Sequence, residues 1–130
     1  IVFLGADTVV VLDESILGKP GNELEAREML TALSGRYHDV FTAVTVMKRS
    51  DCYTELVHTE VKFSPLSIHD IEKYCATGES LDKAGAYAIQ GFAGAFIESI
   101  SGSYSSVVGL PLYQTCQMLQ VFKVEPDWRC

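Results

Sequence analysis

Residues Gly78 to Gly91 read G-E-S-L-D-K-A-G-A-Y-A-I-Q-G. Glu79, Asp82, Lys83, Tyr87 and Gln90 fall within these fourteen positions, which glycines punctuate at 78, 85 and 91. A helix-like pattern precedes the stretch and a strand-like pattern follows it. A dense polar segment between two such elements is where a fold places a binding loop. A second stretch near the start echoes it: Gly5 to Pro20, G-A-D-T-V-V-V-L-D-E-S-I-L-G-K-P. The two are expected to form one site.

Outward from the loop, the chain alternates helix and strand patterns. Upstream, Ser67 can cap a helix with Asp70 in its first turn. Ile68, Ile71, Tyr74 and Cys75 are its expected buried face, and Gly78 ends it. Asn22 to Ser34 is the clearest helix, capped by Asn22 with Glu25 three residues on, as in a capping box. Ala26, Met29, Leu30 and Leu33 follow the helical period, and Gly35 ends it. Tyr53 to Phe63 alternates, with Val57, Thr59, Val61 and Phe63 on one side and His58, Glu60 and Lys62 on the other, which predicts a half-exposed strand.

Val40 to Val46 predicts a further strand, with His38 at its entrance as a structural hydrogen-bonding residue. Ile1 to Leu4 and Thr8 to Leu12 predict two short strands flanking Gly5-Ala6-Asp7, and Asp13-Glu14 a hairpin turn. Downstream of Gly91, F-A-G-A-F-I-E-S-I predicts a strand, 102–111 a hydroxyl-rich loop, and Pro111 the first residue of a last helix. Leu112, Thr115, Cys116, Leu119 and Phe122 would line that helix's inner face. The pattern predicts an α/β or α+β fold with a mixed sheet and flanking helices.

Composition bounds the rest. At 130 residues the chain suits one domain. Its formal charge of −7 opposes broad contact with nucleic acid, which needs many Lys and Arg on phosphates. A small phosphorylated ligand needs only a few local cations. No apolar run approaches the ~20 residues that cross a bilayer. Cys52, Cys75, Cys116 and Cys130 form no C-x-x-C pair and read as reduced thiols in a cytoplasmic protein. Asp7 is either aimed into a cleft from a strand end or a turn carboxylate bonding its own backbone. Lys19, before Pro20, is either a surface lysine or a cation beside a ligand that Gly18 lets approach. Lys83 either meets phosphate or pairs with Asp82 or Glu79.

Five segments together carry a resemblance. G-A-D-T-V-V (5–10), G-K-P (18–20), L-S-G-R-Y-H-D-V-F-T-A-V (33–44), D-K-A-G-A-Y-A-I-Q-G (82–91) and G-S-Y-S-S-V-V-G-L-P-L (102–112) resemble the Maf family, the septum-formation-inhibitor-like nucleotide pyrophosphatases. The resemblance runs over 1–122 and leaves 123–130 as a tail. It implies an α/β architecture like that of inosine triphosphate pyrophosphatases. It also implies hydrolysis of nucleoside triphosphates to monophosphate and pyrophosphate with a divalent metal, Mg²⁺ or Mn²⁺.

In the family's terms Asp7 is the proton acceptor and a metal ligand, and Lys19 belongs to the catalytic set. Thr8 and Gln90 tune base choice, and Lys83 is a further candidate substrate contact. Asp7-Thr8 with Ile89-Gln90-Gly91 is similar to the dTTP/UTP branch, whereas the 7-methyl-GTP branch carries D-Q and S-E-G. An amide offers a donor and an acceptor together, which suits the imide edge of uracil or thymine. The family's arginine-rich N-terminal loop (S-x-S-P-R-R) has no counterpart here, so the chain is expected to lack an N-terminal portion. Arg36 and Arg49 do not replace it by motif. Family members are often homodimers. The alternative expectation is a non-catalytic module that binds, dimerises or regulates.

Overall fold

The alternating apolar runs build one sheet. In a computed structural model, which describes residues 1–124, the strands are β1 (Val2–Leu12), β2 (Ser15–Leu17), β3 (Tyr37–Lys48), β4 (Asp51–Phe63) and β5 (Ile97–Ser101). The helices are α1 (Glu23–Leu33), α2 (Ile68–Cys75), α3 (Tyr104–Val108) and α4 (Leu112–Val121). Sheet order is β2-β1-β3-β4-β5. The expected α/β architecture with flanking helices is present. Every pairing is antiparallel, where a mixed sheet was expected. The cause lies in the connections: tight hairpins join β1 to β2 and β3 to β4, and α1 returns the chain so that β3 also opposes β1.

The β1–β2 turn is Asp13-Glu14, as the sequence predicts. Both residues have positive φ (49° and 68°), the backbone a two-residue hairpin favours. The Arg36 guanidinium reaches Asp13 Oδ1 at 2.6 Å. That exposed pair holds the Asp13 carboxyl below its ordinary value.

Three expectations change. First, 2–12 form one strand, because Gly5, Ala6 and Asp7 pair in register with Thr45, Val44 and Ala43 of the long β3. Second, Phe92–Phe96 is a 3-10 turn and only Ile97–Ser101 is strand. Gly94 leaves no room for a side chain there, since a Cβ would stand 2.8 Å from the Ile89 carbonyl oxygen. Third, the hydroxyl-rich loop contains α3, capped by Ser103 Oγ, which accepts from Ser106 N–H at 3.1 Å.

Side-chain caps explain where α1 and α2 begin. Ser67 and Asp70 form a reciprocal capping box on α2. On α1, Asn22 Oδ1 accepts from Glu25 N–H at 2.9 Å. The Glu25 carboxylate reaches Gly21 N–H, one residue beyond the expected partner. Alternation sends Val10, Leu12, Val40, Val61 and Phe63 to the covered face, where they meet Ala26, Leu30 and Leu33 of α1 and Ile71 and Tyr74 of α2. Val44 and Val46 meet Met118 of α4 and Phe122, which follows it, in a second cluster.

Ile68 and Leu112, expected in the core, are 78% and 58% exposed. Each opens its helix, where the chain has not yet turned onto the sheet. The opposite sheet face exposes Phe3, Met47 and Leu56. There His58 stacks on Phe41 at 4.6 Å and bonds Asp39 at 2.7 Å. Of the expected tail 123–130, Val124 N–H still bonds Leu119, and residues 125–130 lie outside the described region.

Gly85 is a tight joint between the polar loop and β1. Its φ is +73°, and a Cβ there would stand 3.1 Å from the Val10 side chain. Gly85→Ala is expected to lower stability by about 1–3 kcal/mol through left-handed strain and crowding. Urea denaturation with an unchanged midpoint would contradict that expectation.

Candidate functional site

The polar loop is held by a half-buried clasp that the sequence reading missed. Tyr74 Oη donates to Glu79 Oε1 at 2.7 Å and accepts from Ala88 N–H at 3.2 Å. Glu79 Oε2 accepts from Phe92 N–H at 3.2 Å. Both ends of the loop are thereby tied to α2. Burial, with the Glu79 carboxylate beside it, pushes the Tyr74 hydroxyl well above its ordinary pKa. Glu79 is committed to the clasp, and among the described residues no ion pair engages Lys83. The reading of Lys83 as a loop-structure partner of Glu79 or Asp82 therefore does not hold.

Within the loop, Gly85 and Ala86 both adopt left-handed backbone, φ 73° and 68°. Gly85 N–H donates to the Gly18 carbonyl at 3.1 Å. This single bond joins the two stretches that the sequence paired, and it brings Lys19 to the loop that carries Lys83. Tyr87 then turns inward to His38, with Nε2 and Oη 2.6 Å apart. His38 is a structural hydrogen-bonding residue, as expected, although it lies inside β3 and is 2% exposed. Burial pushes its pKa down to about 4, so the imidazole is neutral near pH 7. It also pushes the Tyr87 hydroxyl well up.

Thr8, Lys83 and Tyr87 line one pocket of about 80 Å³, walled by Val10, Val40, Ala84, Val107 and Val108. Gln90 is exposed at a neighbouring apolar hollow with Tyr104, Ser105, Val108, Leu110 and Leu112. Val108 is common to both, and a Cβ at Gly109 would stand 4.0 Å from Thr8 Oγ1. The C-terminal end of α3 is thus the shared wall, a role invisible in a segment read as loop.

Asp7 stands apart. Successive side chains of a strand point to opposite faces. Thr8 faces the helices, whereas Asp7 is exposed on the uncovered face with Val9 and Phe41. The two meet only at the strand edge. β2 pairs with β1 at Val10–Leu12 alone, so below Val10 that edge is unpaired among the described residues. Lys19, exposed, leaves β2 just there.

Among the described residues no group of three or more His, Cys, Asp or Glu could hold a metal ion. Asp7 is a single carboxylate, and no ion pair there engages it, unlike Asp13 and Asp39. That donor set fits Mg²⁺ only in the mode in which one or two carboxylates share the ion with substrate phosphates.

The model of the Maf-like protein family matches residues 1–122. The chain belongs to the Maf-like family. It is 58% identical over 116 residues to a dTTP/UTP pyrophosphatase of Pseudoalteromonas atlantica, covering 89% of this chain and 60% of that protein. It is 52% identical over 124 residues to one of Shewanella denitrificans, covering 95% and 63%. A third, of Symbiobacterium thermophilum, is 52% identical over 121 residues, covering 93% and 62%. The chain therefore spans about three fifths of the length of these Maf-like relatives. Cys52, Cys75 and Cys116 are free thiols, and no helix among the described residues is long and apolar enough to cross a membrane.

The buried His38 sets a pH dependence. Its folded-state pKa of about 4 lies below the ordinary 6.5. Between those values the unfolded chain binds more protons, so stability falls as pH falls through that window. The loss approaches about 3 kcal/mol by pH 4. Urea titrations at pH 7 and pH 4.5 should show it in the wild type and not in His38→Gln. An equal slope in both would assign it elsewhere.

Proposed function

We propose that this chain carries the base-binding side and part of the phosphate-binding side of a nucleoside triphosphate pyrophosphatase. The reaction is hydrolysis of dTTP, UTP or a related pyrimidine triphosphate to the monophosphate and pyrophosphate. One observation carries the reading. Thr8 and Lys83, far apart in sequence, share a pocket at the free edge of β1, with Gln90 across Val108 and Lys19 at the exit of β2. The names of the relatives support the same chemistry.

In this reading the nucleotide lies across the β1 edge. The base sits towards Thr8 and Gln90, where the Gln90 amide N–H can donate to a ring carbonyl of the imide edge. Lys83 and Lys19 donate to oxygens along the phosphate chain and offset charge that builds on them. Asp7, reached around the edge, accepts the proton of the attacking water. The water oxygen bonds to the α-phosphorus, the bond to the bridging oxygen breaks, and pyrophosphate departs with that electron pair. A divalent cation, Mg²⁺ or Mn²⁺, supplies positive charge against the triphosphate when bound. Asp7 is the residue of this chain that would hold it. A cytoplasmic setting, read from the unpaired cysteines, and a homodimer, implied by the resemblance, belong to the same proposal.

Pyrophosphate release by the 130-residue chain with Mg²⁺ tests the reading across dTTP, UTP, CTP, GTP and 7-methyl-GTP. The expected result is release from UTP and dTTP. Asp7→Asn should lower the rate by about 10²–10⁴-fold, the usual worth of a positioned base, with thermal unfolding unchanged. Wild-type turnover in Asp7→Asn overturns the role of Asp7. Activity on 7-methyl-GTP alone overturns the base assignment. Inactivity on every nucleotide favours the non-catalytic module, which the single carboxylate also fits.

A further inference from the structure

Thr8 does not face the pocket alone. Its Oγ1 lies 2.8 Å from Thr42 Oγ1. Thr42, fully buried on β3, donates its only hydroxyl proton to the Ser106 carbonyl at 2.8 Å. That carbonyl is open to it because α3 ends there. Gly109 and Leu110 N–H both bond Ser105 C=O instead, which leaves Ser106 C=O for a side chain.

A threonine hydroxyl has one proton and two acceptor lone pairs. With Thr42's proton committed to Ser106, the short Thr8–Thr42 contact is a hydrogen bond only if Thr8 donates. Thr8 therefore has no proton left for the pocket and presents acceptor lone pairs alone. From this relay we infer that Thr42 and the Ser106 carbonyl fix the hydrogen-bond polarity of Thr8, and so select a base whose ring nitrogen carries a proton.

Uracil and thymine carry N3–H at that position and can donate to Thr8. Cytosine carries a lone pair at N3 and would meet Thr8 acceptor to acceptor. The Gln90 amide, across Val108, can donate to a ring carbonyl beside that N–H. Thr42 touches no substrate in this account. It is a positioning residue that acts through Thr8. The inference rests on the proposed function, since it takes Thr8 as a base contact.

Binding of the α,β-imido analogues of UTP and CTP to the 130-residue chain tests it by calorimetry, without turnover. The wild type should bind the UTP analogue about tenfold more tightly or better, given the cost of a mispaired polar group. Thr42→Val, nearly the same shape, frees the Thr8 proton to donate and should erase most of that preference, chiefly by strengthening the CTP analogue. Thr42→Ser keeps the hydroxyl and should restore the preference, which a purely structural role would not require. Thermal unfolding monitors the fold, and Thr42→Ala replaces Thr42→Val if valine does not fold. A UTP preference that survives loss of the Thr42 hydroxyl overturns the relay and leaves the proposed function standing. A wild type that binds both analogues alike overturns the relay and the role of Thr8. One that binds neither overturns the proposed function as well.

Discussion

The hydrogen bond from Gly85 N–H to the Gly18 carbonyl is the constraint on which the arrangement rests. It ties the exit of β2 to a loop sixty-odd residues downstream. That tie needs backbone that side chains rarely adopt: Gly85 and Ala86 are both left-handed, and Gly85 lies against Val10. A non-glycine residue in that conformation costs of order 1–3 kcal/mol and persists only where its surroundings over-determine it. The surroundings here are specific. Tyr74 and Glu79 clamp the loop's ends, and His38 holds Tyr87 directly after the strained pair. Strain concentrated beside Lys83 and Tyr87 is what a pre-organised binding loop would show.

The sheet supplies the second constraint. Three long antiparallel strands fix every side chain to one face or the other. The helices take one face for the core, and the polar groups along β1 divide between the two. Thr8 joins a buried hydroxyl relay, and Asp7 stays in solvent. A ligand that uses both must cross the strand edge, which β2 leaves unpaired below Val10. The shortness of β2 is thus as much a part of the site as any side chain.

Much of this was legible in the sequence. Helical spacing and caps identified α1 and α2, strict alternation identified β4, and Asp13-Glu14 identified its turn. The pairing of the two polar stretches was also legible, because each carried glycine and lysine where a ligand could approach. What escaped depends on contacts between distant residues. Gly5-Ala6-Asp7 reads as a break until β3 lies beside it. The Phe92–Phe96 turn looks like a strand because its composition is apolar, yet Gly94 fits against Ile89 only as a turn. α3 hides among serines because its cap is one of them, Ser103, and one of its last carbonyls, that of Ser106, is satisfied by Thr42 from the sheet. The opposite facing of Asp7 and Thr8 was available from a period of two, once 2–12 is taken as a single strand.

The central claim is that Thr8, Lys19, Lys83 and Gln90 meet one ligand at the free edge of β1. Backbone amide spectra of the chain, titrated with the UTP analogue, test it most directly. The account predicts that resonances of Thr8, Gly18, Lys19, Lys83, Gln90 and Val108 move together with a single saturation curve. Shifts confined to the distant hollow between α2 and Phe92, lined by Asp70, Lys73 and Phe96, would contradict it. So would separate curves for the Lys83 and Gln90 groups.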